Sequence, residues 1–314
     1  MKRKIVFMGT PDFAVPTLNA IVEAGHEVLC VVAQPDKPKG RGKKLVSPPT
    51  IERARELGIP TKQPRAVRKG PFVEWMKACG ADVAVVIAYG RILVSEILEA
   101  PTLGCINVHA SLLPKYRGAA PIHWSIINGE TKTGVCTMQM NEGMDTGDVL
   151  LRAETDISPD ETTAELWDRL AILGAELLVE TLEKLEQITP QPQDHTLATH
   201  APLIEKELGR IDWTQSAITI HNLIRGCVSW PVAYCGFREQ TLKIWTARVV
   251  TSTNAWSTEP GMVVQTKPHP VIATGTGYLE LMEIQLPGKN RCDASALVNG
   301  FQLSVGEKLS TLSE

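Results

Sequence analysis

The sequence predicts an α/β protein in which a doubly wound, mostly parallel sheet is followed by a small β-barrel domain. Over residues 1–188, short and continuously apolar runs alternate with segments of helical periodicity. That alternation is typical of parallel strands buried between two layers of helices. A proline-rich stretch ends the pattern, and short alternating segments separated by Gly and Pro follow it. The length of 314 residues is comfortable for two domains.

The elements of the first half follow one another in a regular order. Apolar runs predict strands at KIVFMG, EVLCVVAQP, DVAVVIAYG, CINVHA and GVCTMQM. Apolar residues at helical spacing predict helices at PDFAVPTLNAIVEAG, TIERARELG, FVEWMKACG, LVSEILEA and APIHWSIING. A long amphipathic helix, from about Thr162 to about Gln187, closes this half with a stripe of leucines. We therefore predict a Rossmann-like domain over residues 1–188.

The pattern changes in the second half of the chain. The stretch ITPQPQDHTLATHAP has three prolines and little periodicity. We therefore predict a linker over residues 189–206, which this stretch and the residues after it provide. One helical stretch, TQSAITIHNLIRGC, precedes the strand-like runs VAYCGF, TLKIWTARVV, GMVVQT, HPVIATGTG and YLELMEIQL. This order predicts an OB-like β-barrel over residues 207–314.

The composition argues against several classes of protein. The net charge is −3, although residues 1–70 hold 14 Lys and Arg against 6 Asp and Glu. The seven cysteines are odd in number and include no CxxC pair, so we expect neither a disulfide framework nor a metal site. No apolar run approaches the roughly 20 residues of a membrane-spanning helix. We expect a soluble, cytoplasmic protein with no membrane partner.

One buried strand ends in polar residues. The stretch GCINVHASLLPKYRGAAPIHW begins as an apolar strand, but Asn107 and His109 occupy alternate positions at its end. Alternate residues of a strand project from the same face, so these two side chains lie side by side. Ligands of open α/β sheets bind beyond the carboxyl ends of the strands. The pair therefore marks a candidate binding site.

The loop after the next predicted strand supplies acids. NEGMDTGDV carries Glu142, Asp145 and Asp148, which we expect to reach the same mouth of the sheet. An Asn amide and a His can donate to a carbonyl oxygen as it becomes an oxyanion, and an Asp can orient the His. The combination indicates acyl transfer to a nucleophile that a substrate brings, because no GxSxG elbow is present. Taken singly, each residue also has an ordinary structural interpretation, as a satisfied His, a capping Asn or a loop Asp.

At this point a family resemblance is visible. INVHASLLPKYRGAAPI and TGVCTMQMNEGMDTGDVL closely resemble the formyltransferases that use 10-formyltetrahydrofolate. FMGTPDFAVPTL, QPDKPKGRGKKL, VVIAYGRIL and the region from RIDW to IRGCVSWPVAY are similar to the members whose acceptor is initiator methionyl-tRNA. The resemblance covers almost the whole chain. It implies the formyltransferase fold and direct attack of an amino group on the formyl carbon, without an acyl-enzyme.

The resemblance also implies roles for individual residues. Asn107 and His109 match positions that stabilise the oxyanion, with His109 also moving protons. Asp145 matches the position that supports a charged His109, directly or through water. The segment AYGRIL and the loop that begins at Asn141 match two walls of the folate pocket. The residues expected to bind the folate are Ala88, Tyr89, Gly90, Arg91, Ile92, Leu93, Ser111, Leu112, Leu113, Pro114, Asn141 and Gly143.

A basic loop distinguishes between possible acceptors. QPDKPKGRGKKLVSPP follows a core strand and is long for a strand-to-helix connection, which typically has about 2–6 residues. Such a loop above the mouth of the sheet is well placed to contact phosphates, although a charge run is usually a solvated face. In the family, the matching loop enters the acceptor stem of tRNA. The residues expected to contact tRNA are Lys37, Lys39, Arg41, Lys43 and Lys44.

Other functions stay open at this stage. A formyltransferase acting on an amino-sugar nucleotide, or a 10-formyltetrahydrofolate hydrolase, would share Asn107, His109 and Asp145 but would need no basic loop. A dinucleotide-binding module is disfavoured because FMGTPDFA lacks GxGxxG. A non-catalytic RNA-binding protein would not need the three residues together. The predicted C-terminal domain is neutral in charge, with Arg210, Arg225, Arg238, Lys243 and Arg248 as candidates for a cationic face. We expect a monomer.

Overall fold

A computed structural model describes residues 2–39, 44–250 and 258–312. The chain divides into two compact units. The first comprises Met1–Pro121, Lys132–Asp156 and Trp167–Pro202, and the second comprises Ile122–Thr131, Ile157–Leu166 and Leu203–Glu314. The first unit thus includes most of the expected linker, and two short segments of the N-terminal half group with the C-terminal residues.

The N-terminal half follows the predicted alternation of strands and helices. Its described strands are β1 (Lys4–Gly9), β2 (Glu27–Val32), β3 (Lys37–Lys39), β4 (Lys44–Val46), β5 (Thr61–Lys62), β6 (Val83–Ile87), β7 (Cys105–His109), β8 (Arg117–Gly118), β9 (Lys132–Gln139), β10 (Val149–Asp156) and β11 (His200–Ala201). Its described helices are α1 (Val15–Glu23), α2 (Pro49–Glu56), α3 (Pro71–Ala78), α4 (Ser95–Leu98), α5 (Pro121–Ile127) and α6 (Thr163–Lys184).

The main sheet has seven strands in the order β10-β9-β7-β6-β1-β2-β5. The five strands from β7 to β5 are parallel, because a crossover returns the chain to the same end of the sheet between each of them and the next one in sequence. Strand β9 joins β7 antiparallel, and β10 folds back on β9 as a hairpin. The predicted mostly parallel α/β sheet is confirmed. An antiparallel edge was not predicted, because an apolar run does not reveal the direction of its strand.

Strand β7 divides its side chains between the two faces of the sheet. Cys105 belongs to the core that α3 and α4 cover. Val108 points the other way, toward α6, where a Cβ on Gly174 would lie 3.0 Å from Val108 Cγ1. Since successive residues of a strand alternate between faces, Asn107 and His109 share the face of Cys105.

Helix α6 covers the other face of the sheet. The leucine stripe predicted from its sequence is buried at Leu166, Leu170, Leu177, Leu178 and Leu182. The hydroxyl groups of Thr181 on α6 and Thr137 on β9 are joined by a hydrogen bond, with 2.8 Å between their oxygens. The helix therefore fixes β7 and β9 from behind, and the face that carries Asn107 and His109 stays available to loops.

The basic loop forms a β-hairpin. Strands β3 and β4 pair antiparallel, and the register places Lys37 opposite Val46 and Lys39 opposite Lys44. The apolar side chain of Leu45 is 64% exposed, and that of Val46 is also exposed. Arg41 and Lys43, which the sequence also assigns to this loop, lie outside the described residues.

The segment expected to be a linker is attached to the first unit. Gln191 forms a β-bridge with Val149, and β11 pairs in parallel with β8. Tyr116 donates its backbone N–H to the Thr199 hydroxyl at 2.9 Å. Periodicity cannot reveal such short pairings, since each involves only one or two residues.

The second unit is an antiparallel β structure accompanied by helices. It contains α7 (Ala217–Gly226), β12 (Ala233–Phe237), β13 (Gln240–Val250), β14 (Val263–Gln265), β15 (Val271–Ala273), β16 (Tyr278–Gln285), β17 (Cys292–Asp293) and α8 (Ser295–Phe301). The strands pair in the order β12-β13-β16-β15-β14, with β17 beside β16. Ser310 bridges to Gly236 of β12, and Lys308 bridges to Met262 next to β14. The C-terminal segment thereby links both edges of the sheet, as a barrel requires.

The proposed cationic face of this unit loses one member. Arg225 is buried, donating to Asn222 Oδ1 at 3.0 and 2.8 Å and to the Glu161 carbonyl at 2.9 Å. Arg238 pairs with Glu307 at 2.8 Å. Burial of Arg225 could not be seen in the sequence, because it depends on Glu161, which is 64 residues away in the chain.

No helix within the described parts of the chain is long and apolar enough to cross a membrane.

The packing of α6 against the sheet gives a stability prediction. Leu178→Ala, which truncates a fully buried side chain, should lower the free energy of unfolding by about 2–5 kcal/mol because it leaves a cavity. Ile172→Ala on the same helix serves as the control, because Ile172 is 52% exposed, and should change stability by less than about 0.5 kcal/mol. Urea unfolding followed by circular dichroism measures both. Equal losses for the two variants would contradict the assigned face of α6.

Candidate active site

The site includes the side-chain amide of Asn107, near the end of β7. Its side chain is 9% exposed, and it lies beside Met138, its partner on β9. Among the described residues, no hydrogen bond is made by its side-chain amide. Its amide atoms keep contact with solvent, unlike the fully buried and unpartnered hydroxyl of Tyr89. Such a group is therefore suited to a ligand that supplies the missing partner.

His109 is held by one ring nitrogen. Its Nε2 lies 2.9 Å from the carbonyl oxygen of Tyr116. Because a carbonyl oxygen only accepts, Nε2 carries the hydrogen of this bond, which fixes the ring and the tautomer. The second nitrogen, Nδ1, lies 3.7 Å from Asp145 Oδ1. That distance suits an ion pair with a protonated ring but is long for a direct hydrogen bond.

Asp145 reaches His109 from the loop between β9 and β10. Its backbone is left-handed, with φ +53°, which is uncommon for a residue other than glycine. Its Oδ2 accepts the backbone N–H of Gly118 at 2.8 Å. The structure therefore brings together Asn107, His109 and Asp145, the three residues singled out from the sequence.

The path of the chain that brings Asp145 to His109 differs from the path that the sequence suggested. The sequence suggested that the loop follows a strand end next to the end of β7. In the structure β9 runs antiparallel to β7, and Gln139 at its end pairs with Ile106 near the start of β7. The loop then returns across the face of the sheet to His109. The adjacency of the two strands was predicted, but the direction of β9 was not.

The loop after β7 forms a fixed wall beside the site. Leu113 is buried against Cys136, Met138 and Val149, on the face that carries His109. The Ser111 hydroxyl donates to the Lys115 carbonyl at 2.6 Å, and Arg152 donates to the Leu113 carbonyl at 3.3 Å. Leu112 and Pro114 of the expected folate set are half-buried in the same turn.

The segment after β6 forms a second wall. Ala88 and Gly90 have left-handed backbones, with φ of +45° and +75°. Tyr89 between them is buried, and burial raises the pKa of its phenol to about 12. Gln34 Nε2 donates to the Tyr89 carbonyl at 2.9 Å, which ties this turn to the end of β2. Ile92 is 58% exposed, so this wall offers an apolar surface.

Two other members of the expected folate set have mainly supporting contacts. Arg91 Nη1 donates to the Arg65 carbonyl at 2.8 Å. Leu93 is buried in the core beneath the segment. These contacts hold the turn from 88 to 93 in place.

The loop from β9 to β10 has an ordered turn and an exposed apolar side chain. Asn141 Oδ1 accepts the Gly143 N–H at 3.0 Å and the Thr146 hydroxyl at 2.8 Å. Met144 is 57% exposed. Ile92 and Met144 are thus two large apolar side chains open to solvent on the two segments expected to flank a pterin ring.

The groups nearest the site are poor nucleophiles. Burial raises the pKa of the Cys105 thiol to about 12 and also raises the pKa of Cys136, so both are protonated at neutral pH. The Ser111 side chain is fully buried, and its hydroxyl donates a hydrogen bond to the Lys115 carbonyl. An acyl-enzyme at these three residues is therefore disfavoured, in agreement with transfer directly to a substrate.

Of the residues expected to contact tRNA, Lys37 and Lys44 lie exposed on the hairpin. Lys39 lies in β3, and Arg41 and Lys43 lie outside the described residues. Within residues 2–39, 44–250 and 258–312, no cluster of three or more His, Cys, Asp or Glu could hold a metal ion.

Several residues of the site were not singled out from the sequence. Tyr116 and Gly118 contribute backbone groups, whose use no side-chain pattern reveals. Gln193 donates to the Asp145 and Gly147 carbonyls, at 2.9 and 2.6 Å, from within the expected linker. No side-chain pattern in the sequence marks Gln193 as part of the site, because it lies in a segment without periodicity.

Comparison with known proteins identifies the family. Residues 2–182 match the family described as formyl transferase, and residues 203–302 match the formyl transferase C-terminal domain. A protein of Solibacter usitatus named methionyl-tRNA formyltransferase is 50% identical over 98% of this chain and 98% of its own length. A protein of the same name from Agathobacter rectalis is 48% identical over 96% of this chain and 98% of its own length.

Solved structures share the fold at low sequence identity. An N-formyltransferase from Helicobacter canadensis, in complex with folinic acid and dTDP-3-aminofucose, has a TM-score of 0.65 at 17% identity, over 90% of this chain and 98% of that one. HypX from Aquifex aeolicus, in complex with tetrahydrofolic acid, has a TM-score of 0.63 at 19% identity over 98% of this chain. This chain spans about half of HypX, 48% of its length. With its fold, its two matching regions and relatives that are about half identical along their whole length, the chain belongs to the formyl transferase family.

Proposed function

We propose that this protein transfers the formyl group of 10-formyltetrahydrofolate to the amino group of initiator methionyl-tRNA. The observation that carries the proposal is the Asn107 amide, which makes no hydrogen bond among the described residues, on the same strand end as the His109–Asp145 pair. The relatives that are about half identical over their full length carry the name of this activity. The product would be formylmethionyl-tRNA, which is used to initiate translation.

Asn107 would stabilise the charge that develops during attack. The folate supplies an activated formyl group on N10. When an amine attacks the formyl carbon, negative charge collects on the formyl oxygen. The Asn107 amide, which has no competing hydrogen-bond partner among the described residues, would donate to that oxygen. Because the donor is fixed before reaction, little reorganisation is needed as the charge appears.

His109 would move the proton. During transfer the acceptor nitrogen loses one proton, and N10 of the folate gains one as its bond to the formyl carbon breaks. Nε2 of His109 is occupied by the Tyr116 carbonyl, so Nδ1 is the nitrogen that would take the first proton and return the second. While Nδ1 holds the proton, it can also donate to the oxyanion.

Asp145 would stabilise the protonated form of His109. Its Oδ1 lies 3.7 Å from Nδ1. At this distance the carboxylate attracts a positively charged ring, while Nδ1 stays free to exchange a proton with the substrates. Its Oδ2 is held by the Gly118 N–H, so the carboxylate keeps its orientation. Asp145 itself would neither attack nor accept the formyl group.

The folate would bind between the two apolar walls. The exposed side chains of Ile92 and Met144 are suited to a flat pterin ring, and the strained turn at Ala88 and Gly90 presents backbone groups to its edge. Ser111 and Leu113 would support the wall beside His109. This assignment covers the twelve residues Ala88, Tyr89, Gly90, Arg91, Ile92, Leu93, Ser111, Leu112, Leu113, Pro114, Asn141 and Gly143.

The hairpin of β3 and β4 would select the acceptor. Lys37, Lys39, Arg41, Lys43 and Lys44 are concentrated in this one excursion from the sheet, and an amino sugar or water would need no such element. Basic side chains on a hairpin can contact successive phosphates of a nucleic acid. The second unit, with 10 Lys and Arg against 10 Asp and Glu over residues 205–314, would contribute less. We place the protein in the cytoplasm, where charged tRNA is found, and as a monomer.

The acceptor is tested by following a labelled formyl group. The protein is given 10-formyltetrahydrofolate with the label in the formyl group, together with methionyl-initiator tRNA, an amino-sugar nucleotide or buffer alone. We expect label on the methionyl-tRNA and only slow release of formate in buffer. Label on the sugar, or equal release of formate in every reaction, would keep the Asn–His–Asp chemistry and reject the tRNA.

His109 and Asn107 are tested by substitution. His109→Ala should lower kcat by about 100- to 10,000-fold, the usual worth of a general acid–base group. Asn107→Ala should lower it by about 100- to 1,000-fold, as for one oxyanion donor. His269→Ala, in the second unit, is the matched control and should be active. Binding of folinic acid, measured by tryptophan fluorescence, should change little in all three variants, and full activity of either site variant would remove that residue from the mechanism.

The hairpin is tested by its salt dependence. Replacing Lys43 and Lys44 together by Ala should raise the KM for tRNA and reduce the slope of log affinity against log salt by about 1–2, because two phosphate contacts are lost. Lys69 and Lys77, which are exposed elsewhere in the first unit, provide the matched double control. If both double variants show the wild-type slope, the hairpin does not bind phosphates.

A further inference from the structure

The side chain of Gln193 is fully engaged between two parts of the site. It is 7% exposed, although it lies in a segment with no regular secondary structure. Its Nε2 donates to the carbonyls of Asp145 and Gly147 at 2.9 and 2.6 Å. Its Oε1 accepts from Nε and Nη2 of Arg117 at 3.1 and 2.7 Å. Both donors and both lone pairs of the amide are therefore used, which fixes its orientation.

The loop that Gln193 holds also packs against β9. Residues 141–144 are exposed, and the backbone of Asp145 is left-handed. On the side of β9 the loop is tight, because a Cβ on Gly147 would lie 1.7 Å from the Gln139 carbonyl oxygen. Gln193 grips the carbonyls of residues 145 and 147 from the opposite side. The strained conformation at Asp145 is thus held between β9 and the Gln193 amide.

Three consecutive residues connect this clamp to the histidine. The Tyr116 carbonyl accepts from His109, the Arg117 guanidinium donates to Gln193, and the Gly118 N–H donates to Asp145. The Arg117 side chain is 9% exposed and also contacts His195 Nδ1 at 3.1 Å. The position of Arg117 therefore affects the partners of both His109 and Asp145.

The same three residues are anchored by the end of the first unit. Tyr116 and Arg117 donate their backbone N–H groups to the hydroxyl and the carbonyl of Thr199, each at 2.9 Å. Strand β11 then pairs with β8. The residues from 193 to 201 thus form a brace. The brace contacts the backbone of residues 116–118 in the wall of the site and the carbonyls of residues 145 and 147 in the acid loop.

We propose that Gln193 and Arg117 are positioning residues for formyl transfer, which set the Asp145 carboxylate against the His109 ring. The proposal rests on the proposed function, in which Asp145 stabilises the protonated His109. Neither residue would touch the folate or the acceptor. Loss of either should misplace Asp145, and a displacement of about 1 Å can cost about 100-fold in rate.

The test uses two substitutions of Gln193 in the full chain. Gln193→Leu removes all four hydrogen bonds, and Gln193→Glu keeps acceptors for Arg117 but removes the donors to Asp145 and Gly147. Both should lower kcat by about 10- to 100-fold while changing the KM for 10-formyltetrahydrofolate less than about twofold. Gln191→Leu is the control, because that side chain is exposed on the same segment and donates only to the Thr189 carbonyl. It should leave kcat unchanged.

A double-mutant cycle separates positioning from general structural support. In an Asp145→Asn background, Gln193→Leu should lower kcat by less than about a further twofold, because the residue through which it acts is already disabled. Losses that multiply in the double variant, or a Gln193→Glu variant with wild-type kcat, would overturn the proposal. If Gln193→Leu proves unstable in thermal unfolding, Gln193→Glu and the companion Arg117→Met serve in its place.

The outcome can be told apart from a failure of the proposed function. If the wild-type protein formylates a different acceptor or only releases formate, the proposed acceptor fails, and the same variants are assayed on the reaction observed. Nuclear magnetic resonance of the His109 ring provides a readout without any acceptor. Its signals should shift in Gln193→Leu and Arg117→Met but not in Gln191→Leu, and unmoved signals in the first two variants would contradict the brace.

Discussion

The alternation of side chains along β7 is the constraint on which the rest of the structure depends. Val108 faces α6 at the close approach of Gly174, which commits Asn107 and His109 to the opposite face. A shift of register by one residue would exchange the two faces, placing polar groups against the helix and Val108 in the site. The long leucine stripe of α6 therefore does more than stabilise the sheet. By holding one face of β7, it also decides where the polar side chains of the other face can be used.

The site trades stability for preorganisation. Asn107 is buried with no hydrogen bond among the described residues, and Asp145 holds a left-handed backbone. The left-handed backbone costs free energy, which the surrounding structure must offset. The offsets are visible in the wall packed by Leu113, in the Tyr116 carbonyl that holds His109 and in the Gln193 amide that holds the acid loop. Groups that would otherwise be solvated are thus kept in place before any substrate arrives, which is what electrostatic stabilisation of a transition state requires.

The groups proposed for the chemistry and those proposed to contact the acceptor lie on different elements. The strand end, its wall and the acid loop contain the groups suited to formyl transfer, and the fold that places them also occurs in an N-formyltransferase bound to an amino-sugar nucleotide. The basic hairpin lies between β2 and α2 and forms a two-stranded sheet of its own. Surface loops on a rigid scaffold commonly divide function in this way.

The sequence by itself determined the α/β class, the alternation of elements, the leucine face of α6 and the pairing of Asn107 with His109, because all of these follow from periods of two or 3.6 residues. It also predicted that Asp145 belongs with them, from residue types and a family resemblance. Only the tertiary structure decided that β9 runs antiparallel, that Arg225 is buried, and that the expected linker contributes Gln193 and β11 to the site. Those features depend on contacts between residues far apart in the chain, often through backbone groups. No local pattern records such contacts, because every residue carries the same N–H and carbonyl wherever it folds.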